Sequence, residues 1–307
     1  MRRVIAFIGR SLITLGILLL LFVAYQLWGT GIYESRAQDD LKSEFRSLVR
    51  NSPTPSSSTT GPTTTTVGPT TTTTTTAPPP APPPSDGSAV AHLVIPKIGV
   101  DKFVVEGVGV SDLRKGPGHY PTTPLPGQVG NSGIAGHRTT YGAPFGDLDK
   151  LAGGDHISVT TQQGTFDFIV DEKDGIQIVK PGDLAVLKTD PADTSAHLTL
   201  TTCNPKYSAS ERLVVKATLA PFIPPLPAQI IDPTILATSG AFDLSGESSS
   251  LTPTFLWGAI VAAVGFLWWL LFHRHAKWTN WVIGAIPFAV VLFFFYTYVE
   301  RALPANY

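Results

Sequence analysis

Three uncharged apolar runs, one near the N-terminus and two near the C-terminus, limit what this chain can fold into. They are SLITLGILLLLFVAYQLW (11–28), FLWGAIVAAVGFLWWLLF (255–272) and WVIGAIPFAVVLFFFYTYV (281–299). Each comes close to the ~20 residues an α-helix needs to cross a hydrocarbon layer. A cleaved signal peptide fits the first run less well, because Tyr25-Gln26-Leu27-Trp28 offers no small-residue cleavage site. A buried helical hairpin in a soluble core fits the last two less well, given their length, lack of charge and Trp-rich ends. Arg2, Arg3 and Arg10 precede the first run, and Arg274 and Lys277 lie between the last two. Basic residues favour the cytoplasmic side, so the two clusters agree. The expected topology is a cytoplasmic N-terminus, a membrane anchor over 1–30, an exterior segment, a two-helix transmembrane hairpin over 255–299 and an external tail, 300–307. The expected location is a multi-pass one in the cell membrane.

Within the exterior segment, residues 31–50 are charged and weakly helical, which predicts a membrane-proximal stalk. Residues 51–88 form a Thr/Pro-rich linker with almost nothing apolar to bury, so it cannot offset the entropy of ordering. Its low-complexity part, 51–84, could extend on the order of 100 Å as a spacer. Residues 89–220 are the one globular unit, and 221–254 are a second linker. The unit contains the β-like runs AHLVIP, DKFVVEGV, NSGIAGH, HISVTT, TFDFIV, GIQIV, HLTLTTC and RLVVKATL, separated by Gly, Pro, Asp and Asn. That pattern predicts a mostly-β barrel or sandwich, with a short helix over APFGDLDKL (143–151). A net charge of −1 without a basic surplus points away from a nucleic-acid partner. No nucleotide loop and no metal-ligand spacing is present, so neither cofactor nor metal is expected.

The chain has one cysteine, Cys203, at the end of HLTLTTCNP. In an oxidising exterior a lone thiol cannot bridge internally, which shifts it towards a reactive role. Strand period two places Leu198 and Leu200 on one face and His197, Thr199, Thr201 and Cys203 on the other. The thiol is therefore expected opposite the core, accessible at a strand end. A cysteine nucleophile needs a base or a positive neighbour. His197 is six residues away, roughly 20 Å along a strand, and is out of reach. His92, His119, His137 and His156 remain, and His137 has the most suggestive setting, NSGIAGHRTTYGAPF, where Gly133 and Gly136 permit close backbone approach. Arg212 opens the strand after Cys203, so hairpin pairing would bring its fixed fork of donors close; Arg138 and Arg114 compete for that role.

TLTTC at 199–203, GHRTT at 136–140 and Arg212 together resemble the sortases, cysteine transpeptidases of Gram-positive surfaces. The family carries a TLxTC signature ending in its nucleophile, an upstream histidine and an arginine on the next strand, in this order. HRTTYGAPF, GPGHYP and the short interval from Cys203 to Arg212 are most similar to class E sortases of actinobacteria. The resemblance covers 89–220. It implies an eight-stranded β-barrel with short helices, flanked here by transmembrane helices, with Cys203, His137 and Arg212 around one cleft. It implies cleavage of a Leu-Ala/Pro-x-Thr-Gly sorting signal between Thr and Gly through a Cys203 thioacyl intermediate. The partners implied are surface proteins bearing that C-terminal motif and an amine of a peptidoglycan precursor. Tyr120, in GPGHYP, would favour alanine at the motif's second position, and Thr202 would help position the substrate threonine. An L,D-transpeptidase matches less well, lacking its histidine just before the cysteine. A non-catalytic, membrane-tethered surface binding domain is the alternative of a different class.

Overall fold

The computed structural model describes residues 2–51, 84–228, 251–272 and 278–302. The low-complexity linker, most of the second linker, the loop with Arg274 and Lys277, and the end of the tail lie outside the described residues.

Nine strands form one sheet: β1 Ala89–Ile95, β2 Val100–Glu106, β3 Gly118–His119, β4 Gly130–Ala135, β5 His156–Thr161, β6 Gly164–Val170, β7 Ile176–Val179, β8 Ala196–Asn204 and β9 Glu211–Leu219. All eight β-like runs become strands, and the two-residue β3 is the addition. The order β6-β5-β1-β2-β3-β4-β8-β9 closes through a β6–β9 pairing, making an eight-stranded barrel. β9 is long enough to serve two partners on one edge. Residues 212–215 pair with β7, and 217–219 pair with β6. β7 thus lies beside the ring, although its sequence resembles the barrel strands. The helix expected over 143–151 is reduced to a 3-10 turn at Leu148–Lys150 within a run of turns.

Alternation decides which side chains fill the barrel. Ile157 and Val159 of β5, Phe166 and Phe168 of β6, Leu198 and Leu200 of β8, and Leu213 and Val215 of β9 all turn inward and are buried in one core. Each such side chain is worth roughly 1.5–3 kcal/mol on burial. The outer face of β4, β8 and β9 carries a second apolar cluster that includes Tyr120, Ala135, Val186 and Val214.

The N-terminal part is helical: α1 Arg2–Ala24, a π-turn Tyr25–Gly29, then α2 Thr30–Asn51. α2 is not a free-standing stalk. Its Leu41 and Phe45 are buried in a third cluster with Ala89 and Val105 of the barrel, and Phe103 packs against it. The distance from α1 to the barrel is therefore set by a docked helix. Near the C-terminus are α3's later counterparts, so named in chain order: α3 Val110–Leu113 in the barrel domain, α4 Thr252–Phe272 and α5 Trp278–Ala302. Among the described residues, one helix, spanning Thr252–Leu271, is long and apolar enough to cross a membrane; Leu12–Ala24 and Gly284–Val299 are shorter apolar stretches. α5 packs on α1: Tyr296 Oη donates to the Leu18 carbonyl at 2.6 Å, and Tyr25 Oη lies 3.1 Å from Thr297 Oγ1.

Candidate active site

β8 carries the thiol, and its neighbours are brought in by register. β4 runs parallel to it, pairing Gly130 with Ala196 through Ala135 with Thr201. Gly136 N–H extends the ladder to the Thr201 carbonyl at 3.1 Å, and Thr202 Oγ1 donates to the Gly136 carbonyl at 2.7 Å. Continued one residue, the same register sets His137 level with Cys203. On the other side β9 is antiparallel, and Cys203 pairs directly with Arg212. Cys203 thus has Arg212 as its direct partner on one side, and on the other the segment that runs on from β4 into His137. Gly133 and Gly136 are needed for this approach. A Cβ at either would press on the Tyr120 ring and Leu187 or on the Phe145 ring, at 2.7–2.8 Å.

The predicted strand parity holds: Leu198 and Leu200 face the core. Exposure does not follow from it. The opposite face is itself covered, and Cys203 is only 3% exposed. Burial pushes the Cys203 thiol above its ordinary pKa, while Arg212 and then Arg138 pull it the other way without cancelling the effect. Burial therefore favours the neutral thiol, and the two arginines favour the thiolate. Arg212 is buried, with Nη1 donating to the carbonyls of Ala209 and Glu211 at 3.0 Å each. Arg138 is also at the site: its Nη1 donates to the Cys203 carbonyl at 2.9 Å and to Asn204 Oδ1 at 2.7 Å, and its Nη2 reaches Asp149 at 3.2 Å. Its position next to His137 in GHRTT was the available signal. Arg114 is buried with its guanidinium 5.6 Å from the Tyr141 ring, on the histidine's side of the site.

Tyr120 is buried, and its hydroxyl lies 3.1 Å from Thr201 Oγ1. Thr201 shares a face with Cys203 two residues on, so Tyr120 adjoins the thiol's face of β8. Thr202 is on the leucine-bearing parity and buried, and its hydroxyl donates to the Gly136 carbonyl, bracing the segment that carries His137. His137 is buried, with Nδ1 3.3 Å from Thr140 Oγ1 and its ring 5.1 Å from that of Tyr141. The other histidines among the described residues pair with acids: His92 with Asp101, His119 with Glu106, His156 with Asp167 and His197 with Asp193. Among the described residues no group of three or more His, Cys, Asp or Glu side chains is placed to hold a metal ion.

The sortase domain family matches residues 93–220. Sortase SrtE1 of Streptomyces coelicolor is 30% identical over 224 residues, covering 68% of this chain and 55% of that protein. Sortase D of Bacillus subtilis is 35% identical over 120 residues, covering 39% of this chain and 56% of that protein. The chain thus spans little more than half the length of these two relatives. Among solved structures, sortase E from Streptomyces avermitilis is 39% identical, covering 44% of this chain and 90% of that one, with a TM-score of 0.40. The matched segment is the one that folds into the barrel and carries His137, Cys203 and Arg212. Residues 93–220 are thus a sortase domain, of a family whose members are cysteine transpeptidases.

Proposed function

We propose that this protein is a membrane-anchored sortase that cleaves a Leu-Ala/Pro-x-Thr-Gly sorting signal between Thr and Gly and transfers the acyl part to a cell-wall precursor amine. The observation that carries the reading is the direct pairing of Cys203 with Arg212, with the segment leading into His137 bonded along the other edge of β8. In this scheme the Cys203 proton passes to His137 as sulfur attacks the Thr carbonyl carbon. Arg212 faces the charge that develops on the carbonyl oxygen. The C–N bond breaks, and the imidazolium returns its proton to the leaving glycine amine, leaving a thioester. The acceptor amine then attacks that carbon and the C–S bond breaks, while the amine's surplus proton passes through His137 to the departing sulfur and restores the thiol. Tyr120, beside the thiol's face of β8, supports a preference for alanine at the second motif position. The apolar end segments and the basic clusters beside them support a cytoplasmic N-terminus with the barrel outside the cell.

The test is incubation of the full chain with Leu-Ala-x-Thr-Gly and Leu-Pro-x-Thr-Gly peptides and hydroxylamine or an amine. Wild type is expected to release the glycine-led fragment and form the hydroxamate, faster with alanine, and Cys203→Ala is expected to be inert. Equal inertness of both proteins across the motif variants would leave the surface binding domain as the better reading.

A further inference from the structure

His137 lies one residue past the last backbone bond from its segment to β8, so its ring depends on what packs beside it. Tyr141 does so, and Tyr141 is held from outside the barrel. Its backbone lies in the left-handed region (φ 48°), as does that of Ala143 (φ 44°). Non-glycine residues keep such conformations when their surroundings over-determine them. Here α2 supplies much of that. Tyr141 N–H donates to Thr30 Oγ1 at 3.2 Å, and Thr30 Oγ1 in turn donates to the Gln26 carbonyl at 2.7 Å. The Tyr33 ring meets the Tyr141 ring edge-on, with centroids 6.1 Å apart.

The same face of α2 is docked along its whole length. Glu34 pairs with Lys102 at 2.7 Å. Gln38 bonds the Phe103 N–H and carbonyl and the Lys115 carbonyl at 2.7–2.9 Å. Leu41 and Phe45 follow in the apolar cluster. Thr30, Tyr33, Glu34, Gln38, Leu41 and Phe45 are spaced by three, one, four, three and four, which is one helical stripe.

We propose that Tyr141 is a positioning residue for His137 and that docking of α2 sets Tyr141, so the helix leading out of the apolar N-terminal segment controls turnover at Cys203. This rests on the Cys–His–Arg reading of the site. The contact runs from Thr30 and Tyr33, through Tyr141, to the imidazole.

The experiment compares the full-length wild type with Tyr33→Ala, Tyr33→Phe, Thr30→Val and His137→Ala. Tyr33 is 52% exposed, so its truncation spares the fold. Two readouts are taken: kcat and KM on the sorting peptide, and the pH dependence of Cys203 alkylation by iodoacetamide, which needs no substrate. Tyr33→Ala is expected to lower kcat about tenfold with KM nearly unchanged and to displace the alkylation profile, as slight misplacement of a catalytic group does. Tyr33→Phe keeps the ring and is expected to restore both. Wild-type kcat and an unmoved alkylation profile in Tyr33→Ala and Thr30→Val overturn the proposal, as does a loss confined to KM or an equal loss in Tyr33→Phe. A His137→Ala alkylation profile identical to wild type would instead overturn the Cys–His reading itself.

Discussion

At Cys203 two opposed effects meet on one sulfur. Desolvation favours the thiol, and Arg212 and Arg138 favour the thiolate. Removing either arginine therefore leaves burial less opposed. In Arg138→Ala and in Arg212→Ala the midpoint of Cys203 alkylation is expected to move to higher pH, with several-fold slower reaction near pH 8; a downward shift in either would contradict the balance. Arg138→Ala also deprives the Cys203 carbonyl of a donor, so it should lower thermal stability as well. At this scale much was legible in advance. Period two alone separates Thr199, Thr201 and Cys203 from Leu198 and Leu200. The same counting places Thr202 with the leucines, away from the thiol, which is why its hydroxyl ends on the Gly136 carbonyl. Accessibility was not legible. Parity states which way a side chain points, and the outer cluster around Tyr120 and Val186 lies far from Cys203 in sequence.

Among the elements, the segment around β3 shows how a buried ion pair supports the site. His119 Nδ1 lies 2.9 Å from Glu106, and Nε2 lies 3.1 Å from the Pro124 carbonyl. Thr123, at 3.2 Å from that same ring nitrogen, accepts from Gly133 N–H and donates to the Tyr120 carbonyl. Burial opposes the charge on His119, but Glu106 and the Pro124 carbonyl outweigh it and raise its pKa. A histidine with a raised folded-state pKa contributes stability that is complete below its unfolded value of about 6.5 and is lost as pH rises through the folded value. Melting measured from pH 6 upward should therefore show wild type losing stability over that window. His119→Gln should lose less there, and a curve parallel to wild type would count against the charged pair. α2 illustrates the opposite limit of legibility. Its charged, weakly helical sequence predicted a stalk, because the stripe that docks is largely polar. Gln38 and Glu34 find partners more than sixty residues away, and hydropathy periodicity does not register such contacts.

Across the whole molecule, the two apolar ends meet. Phe22 and Tyr25 pack against Tyr296 and Phe293 of α5 with centroids 5.2–5.9 Å apart. α5 thereby abuts the helix that continues into α2, so the C-terminal hairpin steadies the base of the element that holds Tyr141. A double-mutant cycle on Tyr25→Phe and Thr297→Val, followed by unfolding in detergent, should give a coupling of about 0.6 kcal/mol, typical of hydrogen bonds between membrane helices. A coupling near zero would mean that the two hydroxyls do not bond.

Local periodicity carried the strand segments, the apolar end helices and the inward leucines of β8, because these follow from neighbours a few residues apart. The TLTTC and GHRTT motifs and Arg212, by resemblance, also pointed to the side chains of the proposed reactive trio. Folding in three dimensions settled the rest: β6 closing on β9 with β7 left beside the ring, the burial of the thiol, the docking of α2, and the parallel register that sets residue 137 beside residue 203. Each of these depends on pairing between segments tens of residues apart, where loop closure and competing edges choose the partner. No short window of the sequence contains that choice.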